Sequence, residues 1–151
     1  MAHLFKIDRV LFATDLSPGC EAALRCATAL ASRFSAELYL LHVVPALSRP
    51  PTSIDHSCGI EPCTRQAAEA MRRLRQELLA SDDKYTTAVL CGDPAERILQ
   101  KAEDVGADLI VMGTSARCAQ PGGLTDKVLR GASCPVLTVP HTLRESEELC
   151  A

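Results

Sequence analysis

Ala107-Asp108-Leu109-Ile110-Val111-Met112-Gly113-Thr114 is the stretch on which the fold turns. Four large apolar residues follow an acid and stop at a glycine and a hydroxyl residue. The run is too short and too continuous for an amphipathic helix, and it lacks the alternation of a strand with one wet face. Asp108 to Met112 therefore reads as a strand covered on both sides.

The flanks agree with this. Upstream, Gly92-Asp93-Pro94-Ala95-Glu96 marks a helix start: Asp93 caps, Pro94 fits the first turn, and Glu96 stands where a capping box places it. Ile98, Leu99 and Ala102 form the inward face, and Gly106 ends the helix. Downstream, a loop of small residues from Gly113 to Gly123 leads to a short helix over Thr125–Ala132. Pro135–Pro140 forms a last strand between prolines.

Further out the same alternation repeats. Val10-Leu11-Phe12-Ala13 is a first strand, followed by Thr14-Asp15-Leu16-Ser17-Pro18-Gly19. Ser17 and Pro18 predict a helix start there, with Ala23, Ala27, Leu30 and Phe34 as its buried stripe. Leu38 to Val44 is a central strand. Residues 45–63 read as a long loop of Pro, Ser, Thr, Cys and Gly. From Thr64 a helix places Ala67, Met71, Leu74 and Leu78 on one face, and Tyr85 to Leu90 is β-prone. The order β-α-β-loop-α-β-α-β-α-β predicts one α/β domain with a mostly parallel sheet and helices on both faces. That domain spans residues 1–141, with a charged tail over 142–151.

Composition narrows the function classes. With 47% hydrophobic residues the 151-residue chain supports a real core, and with 3% aromatics that core is aliphatic. A net charge of -3, with 16 basic residues scattered among 19 acids, gives no basic face for nucleic acid. The first residues mix Lys6, Asp8 and Arg9 where a signal peptide needs an apolar stretch, and no apolar run is long enough to span a membrane. A cytoplasmic protein is expected. Of the eight cysteines, Cys26, Cys91 and Cys134 occupy apolar positions and are expected to be buried, reduced thiols.

In open parallel sheets ligands bind beyond the carboxyl ends of the strands, where strand order reverses. Two segments carry suitable chemistry. Thr14-Asp15-Leu16-Ser17 follows the first strand. Gly113-Thr114-Ser115-Ala116-Arg117, running on to Gly122-Gly123, follows the fourth and leads into a helix, whose start favours an anion. Asp15 reads either as a ligand contact or as an Asx turn before the helix. Arg117 reads either as a phosphate partner or as a solvated loop residue. His42, within the central strand, reads as a satisfied core histidine rather than a ligand. His56, Cys58 and Cys63 make an odd cluster whose spacing matches no standard zinc knuckle. No metal site is expected, and plain surface thiols or a reversible Cys58–Cys63 disulfide are the readings for the two cysteines. Gly-x-Ser-x-Gly, Walker and His-Glu-x-x-His patterns are absent, so no catalytic residue is assigned.

Thr14-Asp15-Leu16-Ser17, Leu41-His42-Val43-Val44, Gly92-Asp93-Pro94, Ala107 to Thr114, Val128-Leu129-Arg130 and Cys134-Pro135-Val136-Leu137 together resemble the universal stress protein family. The resemblance runs in order from Ile7 to Pro140. It implies a five-stranded sheet in the order 3-2-1-4-5, and a nucleotide site at Thr14, Asp15, Val43, Met112, Gly113, Ala116, Arg117, Gly122 and Gly123. It also implies a homodimer paired through Val136, Leu137, Thr138 and Val139.

ATP-binding members carry Gly-x-x-Gly, nine residues, then Gly followed by Ser or Thr. Here Ala116 replaces the second glycine, the spacer shrinks to Arg117–Pro121, and Gly123 stands at the hydroxyl position. A stress-response binding or signalling module with a degenerate ATP loop is the expectation. The alternatives are a functional ATP- or AMP-binding member and, from another class, a nucleotide-hydrolysing or phosphotransfer enzyme.

Overall fold

A computed structural model describes residues 5–46, 60–78, 84–114 and 120–141. Nine elements alternate along it: β1 (Arg9–Thr14), α1 (Cys20–Phe34), β2 (Glu37–Pro45), α2 (Ile60–Leu78), β3 (Tyr85–Gly92), α3 (Pro94–Val105), β4 (Leu109–Thr114), α4 (Leu124–Gly131) and β5 (Val136–Pro140). All strand pairs are parallel, and the sheet order is β3-β2-β1-β4-β5, as expected.

Leu109–Met112 is buried along its whole length, which is why its sequence shows no alternation. Two apolar layers cover the sheet. On one side Val10, Phe12, Leu38, Leu40, Leu109, Val111 and Val139 meet α1 and Met71 of α2. On the other, Leu11, Ala13, Leu41, Val43, Ile110 and Met112 meet Ala95, Ile98 and Ala102 of α3 and Val128 of α4. Asp108 ties the two central strands at their starts, its Oδ2 accepting from the N–H groups of Asp8 (2.9 Å) and Arg9 (3.0 Å).

Local chemistry behaves as read around α3. Asp93 Oδ1 accepts from Glu96 N at 3.0 Å, and Gly106 closes the helix with φ 63°. Leu99 is half-buried and packs against the same core as Ile98 and Ala102, and Ala95 joins them on the inward face.

Four expectations are corrected. Helix α1 starts at Cys20 with no side-chain cap, because Ser17 offers its carbonyl, not its hydroxyl, to Cys20 N at 3.0 Å. Ala23 and Ala27 are buried as expected, joined by Cys20, Leu24 and Ala31; Leu30 is half-buried against the core and Phe34 is 47% exposed, because the buried face runs on from Ala27 to Ala31. Helix α2 begins at Ile60 rather than Thr64, so residues 60–63 are helical and not part of a loop; Pro62 lies in the first turn, where a missing N–H costs nothing. Cys26, Cys91 and Cys134 are half-buried, and among the described cysteines the buried thiol is Cys20. Leu78 ends α2, but its side chain, like the charged tail, lies outside the described residues.

Candidate functional site

Strand order reverses between β1 and β4: the chain leaves β1 toward β2 and β3, then returns to start β4 on the other side. Two neighbouring strands whose connections run opposite ways leave a crevice at their carboxyl ends. A cavity of about 310 Å³ lies there, near the lower limit of ordinary ligand pockets. Its floor is Ala13, Leu41, Val43 and Met112, and its apolar wall is Pro45, Pro94, Ile98 and Leu124. Thr14, Asp15, Cys20, His42, Gly113, Thr125 and His141 supply the rest.

The β1–α1 corner is held by its own hydrogen bonds. Thr14 Oγ1 accepts from Leu16 N at 3.0 Å, and Asp15 Oδ1 accepts from Ser17 N at 2.9 Å. Leu16 stands between them at φ 61°, a left-handed conformation that these two bonds stabilise in a non-glycine residue. Asp15 thus makes the Asx turn, and it also lines the cavity. Partial burial pushes its carboxyl up, but the Ser17 hydroxyl and N–H and the nearby His141 imidazole outweigh that and hold it below the usual carboxylate range. The Ser17 hydroxyl lies near this carboxylate without making a hydrogen bond of good geometry.

His42 is satisfied, as read, with Nδ1 2.8 Å from Thr14 O; it is half-buried and also borders the cavity. Cys20 opens α1 against the same space. Burial pushes its thiol up, despite a hydrogen bond to Thr14, so it stays protonated at neutral pH.

His141, just past β5, hangs from Thr114 O through its own N–H at 3.3 Å. Its ring fits between two glycines: a Cβ on Gly19 would stand 2.3 Å from Nδ1, and one on Gly113 would stand 3.3 Å from Nε2. Gly113 is therefore small for packing, and its own backbone borders the cavity.

Opposite lies the start of α4. Gly123 is the N-cap, without a side chain to cap with, and Thr125 is 5% exposed, its hydroxyl without a partner among the described residues. Gly122, at φ 79°, donates its N–H to Asp126 Oδ2 at 3.0 Å, and Asp126 Oδ1 accepts from Arg130 Nε at 2.9 Å.

Of the residues named from sequence, Thr14, Asp15, Val43, Met112 and Gly113 meet around this one cavity. Gly122 and Gly123 stand beside it, outside its lining, while Ala116, Arg117 and Cys58 lie outside the described residues. Cys63 lies in the first turns of α2, its side chain likewise undescribed. Sequence reading missed Cys20, Thr125 and His141. Among the described residues no group of three or more His, Cys, Asp or Glu side chains could hold a metal ion.

The family model of the universal stress proteins matches residues 6–140. The chain belongs to the universal stress protein family. Universal stress protein MJ0531 of Methanocaldococcus jannaschii is 30% identical over 149 residues, which cover 95% of this chain and 86% of that relative. The universal stress protein UspA of Lactobacillus plantarum superposes with a TM-score of 0.68 at 26% identity, covering 89% of this chain and 98% of its own. A universal stress protein solved in complex with cAMP has the same fold, with a TM-score of 0.65 at 20% identity over 91% of this chain and 99% of its own.

Proposed function

We propose that this universal stress protein is a non-catalytic, homodimeric binding module of the cytoplasmic stress response whose cavity takes an adenine nucleotide. One observation carries the reading. A single cavity at the β1/β4 reversal gathers an apolar floor for a base and, at its rim, the Asp15 carboxylate and the start of α4. Apolar walls with a few convergent polar groups are the usual make-up of a small-ligand site. That a neighbour of the same fold was solved with cAMP supports the class of ligand.

On this reading the base lies against Leu41 and Val43, and Asp15 takes the ribose hydroxyls as an acceptor. Gly123 brings no hydroxyl, so the ATP phosphates lack a contact, and ATP is the weaker ligand. Isothermal titration of the full chain with adenosine, AMP, ADP and ATP, with and without Mg²⁺, tests it. Saturable binding of at least one is expected, reduced by Asp15→Ala; no heat with any of them overturns the reading. Phosphate release above a blank during incubation with ATP would replace the non-catalytic reading with an enzymatic one.

The dimer rests on β5, which among the described residues pairs only with β4 and has no strand on its other edge. An open apolar edge invites a second copy. Val136, Leu137 and Thr138 are half-buried and have area left to cover, whereas Val139 is 3% exposed and already belongs to the core. Leu137→Pro should give a monomer by sedimentation; an unaltered chain that is monomeric at tens of micromolar contradicts the pairing. For Cys58 and Cys63 the corresponding test is thiol counting under mild oxidation. Reversible loss of two thiols, abolished by either Cys→Ser change, supports a redox pair, and an unchanged count removes it.

A further inference from the structure

His141 is set in the cavity wall by three separate elements. It follows Pro140, the last residue of β5, and its N–H donates to Thr114 O, which carries the β4–β5 ladder one residue past the strand. Its half-buried ring fills a slot left open by Gly19, before α1, and Gly113, in β4; a Cβ at either position would press on an imidazole nitrogen. A slot of this kind takes an apolar side chain as well as an imidazole. What the imidazole adds is a charge that comes and goes between about pH 5 and 8.

That charge has a partner in the same cavity. Asp15, at the β1–α1 corner, lies close enough for the imidazolium to favour its ionised form, and its Oδ1 is already engaged by Ser17 N. A ligand hydroxyl and an imidazolium are both donors, and they compete for the remaining oxygen. The other titratable groups that line the cavity are Cys20 of α1 and His42 of β2; among the described residues β4 and β5 bring none. Burial keeps the Cys20 thiol protonated, and His42 is tied through Nδ1 to Thr14 O.

We propose that His141 makes nucleotide binding in this cavity sensitive to pH, acting through Asp15. The inference rests on the adenine-nucleotide reading above, in which Asp15 accepts the ribose hydroxyls. Beside a neutral imidazole the carboxylate is free for the ribose. Beside a protonated one it is held as an ion pair and is a weaker acceptor, so the ligand is released on acidification. By linkage, binding at neutral pH expels part of a proton from His141 to the solvent. His141 is thus a positioning residue.

Adenosine, which has no phosphate of its own to titrate, is the probe. Its affinity for the full chain should be roughly three- to fivefold weaker at about pH 5.5 than at about pH 8. His141→Gln, checked for folding by thermal melting, should bind with one affinity across that range; Asp15→Asn, weaker throughout, should be flat as well. In the unaltered chain, calorimetry near pH 6.5 in two buffers of different ionisation enthalpy should show proton release on binding. A flat profile in the unaltered chain, a fall that persists in either variant, or proton uptake overturns the inference, while adenosine binding at the alkaline end upholds the nucleotide site. Failure of adenosine to bind at any pH overturns both.

Discussion

Thr14 and Thr125 are the two buried polar side chains among the described residues, and both line the same cavity. They differ in one respect. Thr14 spends its hydroxyl on the protein, accepting from Leu16 N and fixing the left-handed corner between β1 and α1. The Thr125 hydroxyl has no hydrogen-bond partner among the described residues. The contrast is between two threonines of one cavity: Thr14 is paired within the fold, and Thr125 is not paired among the described residues.

Removing each hydroxyl should therefore have opposite effects on stability. Thr14→Val leaves the partly buried Leu16 N–H without an acceptor, a loss of about 1–3 kcal/mol. Chemical denaturation should show a clear fall in midpoint at unchanged slope. A shift within error would mean that Leu16 finds another acceptor and that the corner is not held as described. Thr125→Val removes an unpaired polar atom and keeps the shape, so the free protein should gain up to about 1 kcal/mol, or ~2–4 °C in melting temperature. Destabilisation instead would show that the hydroxyl has a partner within the protein, and the contrast would collapse.

A smaller effect sharpens the picture on the Thr14 side. Asp15→Asn keeps the acceptor of the Asx turn and removes only the charge. Because the folded carboxyl is held below its ordinary value of 3.8, its charge adds stability that is present above about pH 4 and lost as pH falls through the lowered value. The side chain is exposed, so screening limits the difference between variant and parent to about 0.5 kcal/mol at neutral pH. That difference should shrink as pH falls below about 4 and vanish once the carboxyl is protonated in both the folded and the unfolded chain. A difference that persists there would place the cause in the turn rather than in the charge.

The same division explains what the sequence made legible. The alternation of strands and helices and the α3 caps rest on chemistry that neighbours in sequence express, namely uninterrupted apolar runs, an Asp-Pro start and a glycine stop. The strand order and the full set of five cavity residues came instead from the resemblance to the family. The start of α1 was misread because Leu16, a non-glycine residue at φ 61°, turns the chain and uses the Ser17 carbonyl where a hydroxyl cap was expected. The α2 start was set late because Pro62, in loop-like company, stands in a helical first turn. His141 was invisible as a site residue because its place depends on two distant glycines, Gly19 and Gly113, leaving room for its ring. Thr125 was passed over because the missing hydroxyl was sought directly after Gly122. What marks it is the lack of a partner in space, which no local pattern records.

The central claim, an adenine nucleotide held in the cavity at the β1/β4 reversal, is tested most directly by a crystal structure grown with AMP. The account predicts the base against Leu41 and Val43 and the ribose beside Asp15. An empty cavity at saturating AMP, or AMP bound with its ribose away from Asp15, would contradict it.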